Sequence, residues 1–462
     1  MAQKGKSGKP ATNGAPPSVG AEAERLPASF LSLTLENVRC FGPKQTLDLS
    51  DGKGKPAPWT IILGLNGTGK TTLLQALVGF EHLPQYPNVE SEDNAPHARF
   101  YELPIWTFTR DGHKDAEITI GIALTPRLSN SPSQGGEWSF SVTPAPGWEE
   151  AAGSIYGSDT GWTPPWCCAY GAGRRVGSAS LSEPKSDDAV ATLFSDKAEL
   201  RNPEEWLIRL DYAAMKVRKD KGAEQRFVQV KELLLNILPD IADIQLATTG
   251  GPNPRPRADF LTPYGWVPLR QLGYGFQTLI TWVADLANRM AERYPDSPNP
   301  LAEPAVVLVD EIDLHLHPKW QRKLMSFLTE RFPNTQFIAT AHSPLVAQAA
   351  ADANLAVLRR EGDHVVIDND VDNIRNWRVD QILTSDLFGL ATARPPQIEA
   401  LLVERGTLLE KRKLTAADKR RLDELEALVG ELPFGETAQE RKERAAIMQA
   451  LDALTKERKP AP

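Results

Sequence analysis

The chain has 462 residues, 41% of them hydrophobic and 24% charged, with a formal net charge of −8. This is the composition of a folded protein with room for two or three lobes. Its acidity excludes an overall basic surface and leaves open a local basic groove for DNA. The longest apolar runs, such as Ala305–Val309, are far too short to cross a bilayer, so no membrane span is expected. Cys40, Cys167 and Cys168 form no disulfide framework, and the adjacent pair lacks metal-ligand spacing. A reducing, cytoplasmic setting fits them best.

Residues 1–28 are rich in Lys, Gly, Ala and Pro without an apolar centre, which reads as a disordered tail rather than a signal peptide. Phe30–Val38 and Gln45–Leu49 then alternate apolar and polar residues, a β-hairpin pattern leading into a third strand at Trp59. A long insertion follows. Its first part, about 95–165, is strand-rich, with Ile105–Thr109, Ala116–Leu124 and Trp138–Val142 between polar or Gly/Pro-rich turns. Trp166–Arg175 reads as an apolar strand ending in a glycine turn with two arginines. A helical lobe is expected over about 190–290, with helices at Glu204–Met215 and Ala223–Leu238. It closes with a helix that places Phe276, Leu279, Ile280, Val283, Leu286, Ala287 and Met290 on one face. No heptad repeat runs through the insertion, so it carries no long coiled coil.

Ala305–Val309 is a continuous apolar run ending in Asp310-Glu311, as in a strand buried on both faces of a parallel sheet. A helix over 318–331, with Pro318 in its first turn, and a strand at Gln336–Thr340 come next. Strand and helix signals in alternation predict an α/β fold with an open sheet over 29–350. Beyond it, 351–462 reads as a strand turn followed by charged amphipathic helices, one opening on a capping box at Thr415–Asp418.

The chemistry is concentrated in a few stretches. Gly64-Leu65-Asn66-Gly67-Thr68-Gly69-Lys70-Thr71-Thr72 contains G-x-x-x-x-G-K-[ST], with a β-branched strand before it and a helix after it. Glycines let the loop turn its N–H groups onto phosphate oxygens, and the helix starting near Lys70 adds its positive dipole end. Lys70 is suited to reach the β- and γ-phosphates of a nucleoside triphosphate, and the Thr71 hydroxyl to sit on Mg²⁺. At the end of the apolar strand, Asp310 is placed to share the Mg²⁺ and Glu311 to polarise an attacking water. His342 ends another core strand, where it can meet the γ-phosphate.

Leu272-Gly273-Tyr274-Gly275-Phe276-Gln277 opens a helix. The order of P-loop, this element, Asp-Glu and then His resembles the ABC-type P-loop NTPase heads, within them the RecF/OLD/SMC branch. The resemblance implies that Gly275 offers its N–H to the γ-phosphate held by a second copy in a head-to-tail homodimer or higher oligomer. Gly273 stands where that family usually carries serine. Asp310–Pro318 and Thr340–Pro344 look like the OLD-type and AAA_21 ATPases of bacterial defence and toxin–antitoxin systems. By that likeness Asp313 is a subunit-interface residue. His315 and His317, without further ligands, take interface or capping roles rather than hold a metal. Leu35–Gly42 resembles the branch's opening strand, which implies Arg39 near the base and phosphates, and Tyr170–Arg174 is similar to a recurrent element that puts Arg174 near the nucleotide or a lobe hinge.

Asp368-Asn369-Asp370 matches a nuclease Asp-x-Asp only superficially and reads as a turn. The expectation is therefore an ATPase without its own effector. It would dimerise on ATP and control a separate nuclease or toxin, as in Septu-like or AbiEii-associated systems. The alternative is a RecF-like repair ATPase binding DNA through the basic run Lys216–Arg226.

Overall fold

The computed structural model describes residues 28–78, 110–111, 116–124, 135–142, 153–154, 165–177, 188–216, scattered positions within 228–238, 240–250, and most of 256–429. The N-terminal tail, the strand expected at Ile105–Thr109, the basic run beyond Lys216 and most of the helix expected at Ala223–Leu238 lie outside them. The chain divides into two compact units, Met1–Asn373 and Ile374–Pro462.

In the first unit, β1 (Ala28–Glu36) and β2 (Gln45–Asp48) pair antiparallel as the alternation predicts. β3 (Trp59–Gly64) runs into the loop and α1 (Lys70–Val78). From the insertion, β4 (Ala116–Leu124), β5 (Gly135–Val142) and β6 (Gly153–Ser154) extend the first hairpin into an antiparallel sheet of order β2-β1-β4-β5-β6. The strand-rich insertion and the N-terminal hairpin are thus one layer. β7 (Cys167–Tyr170) returns to the nucleotide half, and β8 (Arg175–Val176), α2 (Ala191–Phe194), β9 (Glu199–Leu200) and α3 (Pro203–Lys216) lead away from it.

The lobe expected to be helical also holds a sheet. β10 (Asp243–Thr248), β11 (Pro256–Thr262) and β12 (Gly265–Pro268) form an antiparallel meander. Its buried residues are Ile244, Ala258 and Phe260, a sparse set that polar neighbours obscure in the sequence. α4 (Tyr274–Arg293) follows and is buried on every side from Thr278 to Met290, not on one face only. The polar side of that helix is closed by an internal cluster. The Tyr170 hydroxyl donates to Asp285 at 3.0 Å, Arg289 Nε donates to the same carboxylate at 2.8 Å, and Trp282 lies 5.4 Å from the Tyr170 ring.

β13 (Ala305–Val309), α5 (Pro318–Gln321), α6 (Leu324–Arg331), β14 (Thr335–Ala341), α7 (Pro344–Ala349), β15 (Asn354–Glu361) and β16 (His364–Asp368) complete the unit. The single helix expected over 318–331 is two. The Lys323 N–H bonds back to Trp320, three residues away, and this tighter turn breaks the ladder without disturbing the apolar period. The central sheet has the order β16-β15-β3-β14-β13-β7, parallel throughout except for β16. β3, β13 and β14 are buried almost end to end, which accounts for their continuous apolar runs. Their carboxyl ends, where open α/β sheets bind ligands, are Gly64, Val309 and Ala341.

Asp368-Asn369-Asp370 is a turn. Asp370 N–H bonds to the Asp368 carboxylate, and the Asn369 amide spans β2, accepting from Asp48 N–H at 3.0 Å and donating to the Thr46 carbonyl at 2.7 Å. Asn354 donates to the Asp48 carbonyl at 2.6 Å.

In the second unit, α8 (Val379–Leu383), α9 (Pro396–Leu409) and α10 (Ala416–Val429) are helical as expected. The Thr415 capping box is formed, with Asp418 N–H donating to Thr415 Oγ1 at 3.2 Å and Thr415 N–H to the Asp418 carboxylate at 2.9 Å. No described helix is long and apolar enough to cross a membrane.

Candidate functional site

The loop between β3 and α1 turns through left-handed glycines, Gly67 at φ +77° and Gly69 at φ +85°. Alternation of this kind forms the backbone nest that cradles anions. Gly69 is required for space as well, since a Cβ there would lie 2.4 Å from Cys40 Sγ. Lys70 is buried and folds over the loop, its ammonium donating to the Gly64 and Leu65 carbonyls at 2.8 Å each. Burial pushes its pKa down, while Asp310, Glu311 and Asp313 pull it back up.

Three parallel strands end together and bring the carboxylates to this loop. Thr71 Oγ1 donates to Asp310 Oδ2 at 2.7 Å, and Thr340 Oγ1 donates to Asp310 Oδ1 at 2.6 Å. The same Thr340 hydroxyl accepts the Glu311 N–H at 2.7 Å, so one buried side chain sets both acids. From the other side the buried Arg174 guanidinium donates to the Asp310 and Glu311 carbonyls, beside the cavity but not on its wall. Its pKa falls to about 10 through burial, against the pull of Asp310. Asp313 Oδ2 accepts the His342 N–H at 3.0 Å, tying the ends of β13 and β14. Arg174 Nε and Asp313 Oδ1 are buried without a hydrogen-bond partner.

A cavity of about 440 Å³ gathers ten of the expected site residues: Arg39, Asn66, Gly67, Gly69, Lys70, Thr71, Thr72, Asp310, Glu311 and His342. Arg39 holds a left-handed turn at φ +47°, and its guanidinium donates to Gln75 at 2.9 Å and Thr72 at 3.2 Å, over the first turns of α1. Gly64 and Thr68 lie under the loop rather than on the cavity wall, Thr68 donating to the Leu65 carbonyl. Gly275 is not in the cavity. It packs on the backbone of His315, where a Cβ would come within 2.0 Å of the carbonyl oxygen. His317 takes the expected capping role, its Nδ1 accepting Lys319 N–H at the start of α5. Among the described residues no cluster of His, Cys, Asp or Glu has the makings of a metal site, and Cys168 is buried with its thiol pushed up to about 12.

Sequence reasoning missed two residues here. Cys40 lines the cavity, and Thr340 carries the bonds that fix both acids. Thr340 had a weak signal, a hydroxyl in an otherwise apolar strand end.

A family model described as "AAA domain, putative AbiEii toxin, Type IV TA system" (AAA_21) matches residues 60–347, more than half of the chain. The chain belongs to this family of P-loop ATPase domains. A second model, an AAA domain, covers residues 32–80. Among curated relatives, the Retron Ec83 probable ATPase of Escherichia coli is 32% identical over 42% of this chain and 34% of its own length. Septu protein PtuA of Bacillus mycoides (strain KBAB4) is 26% identical over 76% of this chain and 43% of its own. The chain thus spans less than half the length of these relatives. Among solved structures, the SMC head domain from Thermotoga maritima is 13% identical, covering 75% of this chain and 99% of that one, with a TM-score of 0.37. The recombination mediator RecF is 10% identical over 74% of this chain and 99% of that one, at 0.38.

Proposed function

We propose that this chain binds and hydrolyses ATP in the cavity above the P-loop and uses the cycle to control a separate effector protein in bacterial defence. The observation that carries the reading is the Asp310 carboxylate, shared between Thr71 and Thr340 with Glu311 beside it on one cavity wall. Hard oxygen donors of this kind fit Mg²⁺, which Thr71 and Asp310 would hold. The metal would supply charge neutralisation for the phosphates. Lys70, the glycine nest and the N-terminus of α1 bind the triphosphate, and Arg39, anchored on α1, would meet the base or phosphates. The Glu311 carboxylate orients a water and accepts its proton as the water attacks the γ-phosphorus, with ADP leaving and phosphate formed. His342, on the same wall, steadies the γ-phosphate.

Gly275 lies outside its own chain's cavity, which is consistent with a head-to-tail dimer in which it serves the site of a second copy. The family description, which names a putative toxin and a toxin–antitoxin system, and the names of the retron and Septu relatives support the defence setting.

Glu311→Gln tests the reading. Turnover should fall by about 10²–10⁴-fold, with ATP affinity kept and a dimer accumulating at saturating ATP in light scattering. Unchanged turnover sinks the role of Glu311, and a monomer at saturating ATP sinks the dimer. Capture of tagged Glu311→Gln protein with ATP from its host, with and without nuclease treatment, tests the effector. A stoichiometric protein that survives nuclease supports it; nucleic acid alone moves the reading to DNA repair.

A further inference from the structure

The segment Glu311–His315 starts and ends on non-glycine residues in the left-handed region, Glu311 at φ +48° and His315 at φ +63°. Each such residue is strained and persists only where its surroundings over-determine it. At the Glu311 end those surroundings belong to the central sheet. Thr340 takes the Glu311 N–H, the Thr340 carbonyl takes the Ile312 N–H at 2.9 Å, and Arg174 holds the Glu311 carbonyl. In the middle, Asp313 is fixed through His342, and Gln321 bridges the Asp313 and Leu316 carbonyls to Ser343.

The His315 end is held differently. Its side chain makes no hydrogen bond among the described residues. Tyr274 meets its ring edge-on at 4.8 Å, and Gly275 packs directly on its carbonyl. One residue on, Phe276 meets Trp320 of α5 edge-on at 6.4 Å. Two consecutive residues at the start of α4 therefore grip the far end of the segment that carries Glu311, and a third packs on α5 just beyond it. α4 is a 20-residue helix buried through most of its length, so a displacement at its first turn is carried as a rigid-body motion.

We infer that Tyr274 and Gly275 are positioning residues for Glu311 of the same chain. By clamping His315 in its left-handed conformation they hold the Glu311–His315 segment, and whatever engages the first turn of α4 is thereby read at the carboxylate. The inference rests on the proposal that Glu311 performs hydrolysis, and it adds a connection within one chain to the service that Gly275 would give a second copy. The ring of Tyr274, more than half exposed, is the part of the clamp that a bound partner can reach.

Amide hydrogen exchange and turnover, measured on the full chain and on Tyr274→Ala and Tyr274→Phe, test this together. The amides of Ile312, Leu314 and Leu316 are all hydrogen-bonded within or beside the segment and report on it directly. In Tyr274→Ala they should exchange about tenfold faster while the β13 amides keep their protection. The same variant should lose about tenfold or more in kcat with KM for ATP little changed, because positioning rather than binding is impaired. Tyr274→Phe, which keeps the ring, should restore both. Unchanged exchange in Tyr274→Ala overturns the inference, as does a Phe variant as impaired as the Ala variant, or a rise in exchange that extends through β13. If the exchange pattern appears but the parent chain hydrolyses no ATP, the clamp stands and the hydrolytic reading falls.

Discussion

The end of the central sheet and the α9–α10 hairpin both depend on polar side chains, and they use them in opposite ways. At the sheet end the polar groups are buried and each serves two partners. Thr340 fixes Asp310 and Glu311, and Asp285 takes both Tyr170 and Arg289. On α9 and α10 the pairs are peripheral. Arg421 meets Glu404 at 2.7 Å, Arg405 meets Glu426 at 3.3 Å, and Lys411 meets Asp418 at 2.7 Å, all partly open to water. In the first arrangement, losing one group leaves another desolvated and alone; in the second, water replaces what is lost. Rigidity is therefore concentrated at the sheet end beside the P-loop.

The sharpest way to break this contrast is Asp285→Ala. It removes the carboxylate that Arg289 and the Tyr170 hydroxyl share in the interior and should cost about 3–5 kcal/mol in denaturant unfolding. Thr340→Val keeps the shape but removes the hydroxyl shared by Asp310 and Glu311. We expect a loss of about 2–3 kcal/mol in the same measurement and a fall in kcat larger than any change in ATP affinity. Gly275→Ala forces a methyl against the His315 carbonyl and should cost about 1–3 kcal/mol by thermal unfolding, with turnover reduced. Thr415→Ala removes the N-cap of α10 and should cost about 1 kcal/mol, read as lost helix signal in the second unit. Smallest of all, Arg421→Ala should leave the unfolding midpoint essentially unchanged. If it shifts the midpoint as far as Thr340→Val does, the contrast is wrong.

The same contrast explains what could be read from the sequence. The P-loop, Asp310-Glu311 and His342 stood out in the sequence because phosphate and metal chemistry restricts residue types at fixed spacing, and they gather around one cavity; the buried strands stood out because few polar residues interrupt them. Thr340 did not, because a β-branched residue at a strand end is also what ordinary sheet packing prefers. The β10–β12 meander was missed because its buried positions are few and set among charges, so alternation is weak. The break between α5 and α6 left no trace, since the apolar period runs through the tighter turn. α4 looked one-sided because Asp285 and Arg289 read as solvent-facing; only the fold reveals Tyr170 as their partner. The resemblance to the ABC-type heads marked Gly275 as special, but its contact with His315 depends on two segments far apart in the chain.

The asparagine amides on β2 have a consequence for solubility. β2 is an edge strand, and its outward Thr46 carbonyl and Asp48 N–H and carbonyl are the groups through which a stray strand would add. Asn369 and Asn354 occupy all three, in the positions that the backbone of an added strand would take. Replacing both would reopen that edge as a template for self-association during expression, with the P-loop cavity left unchanged.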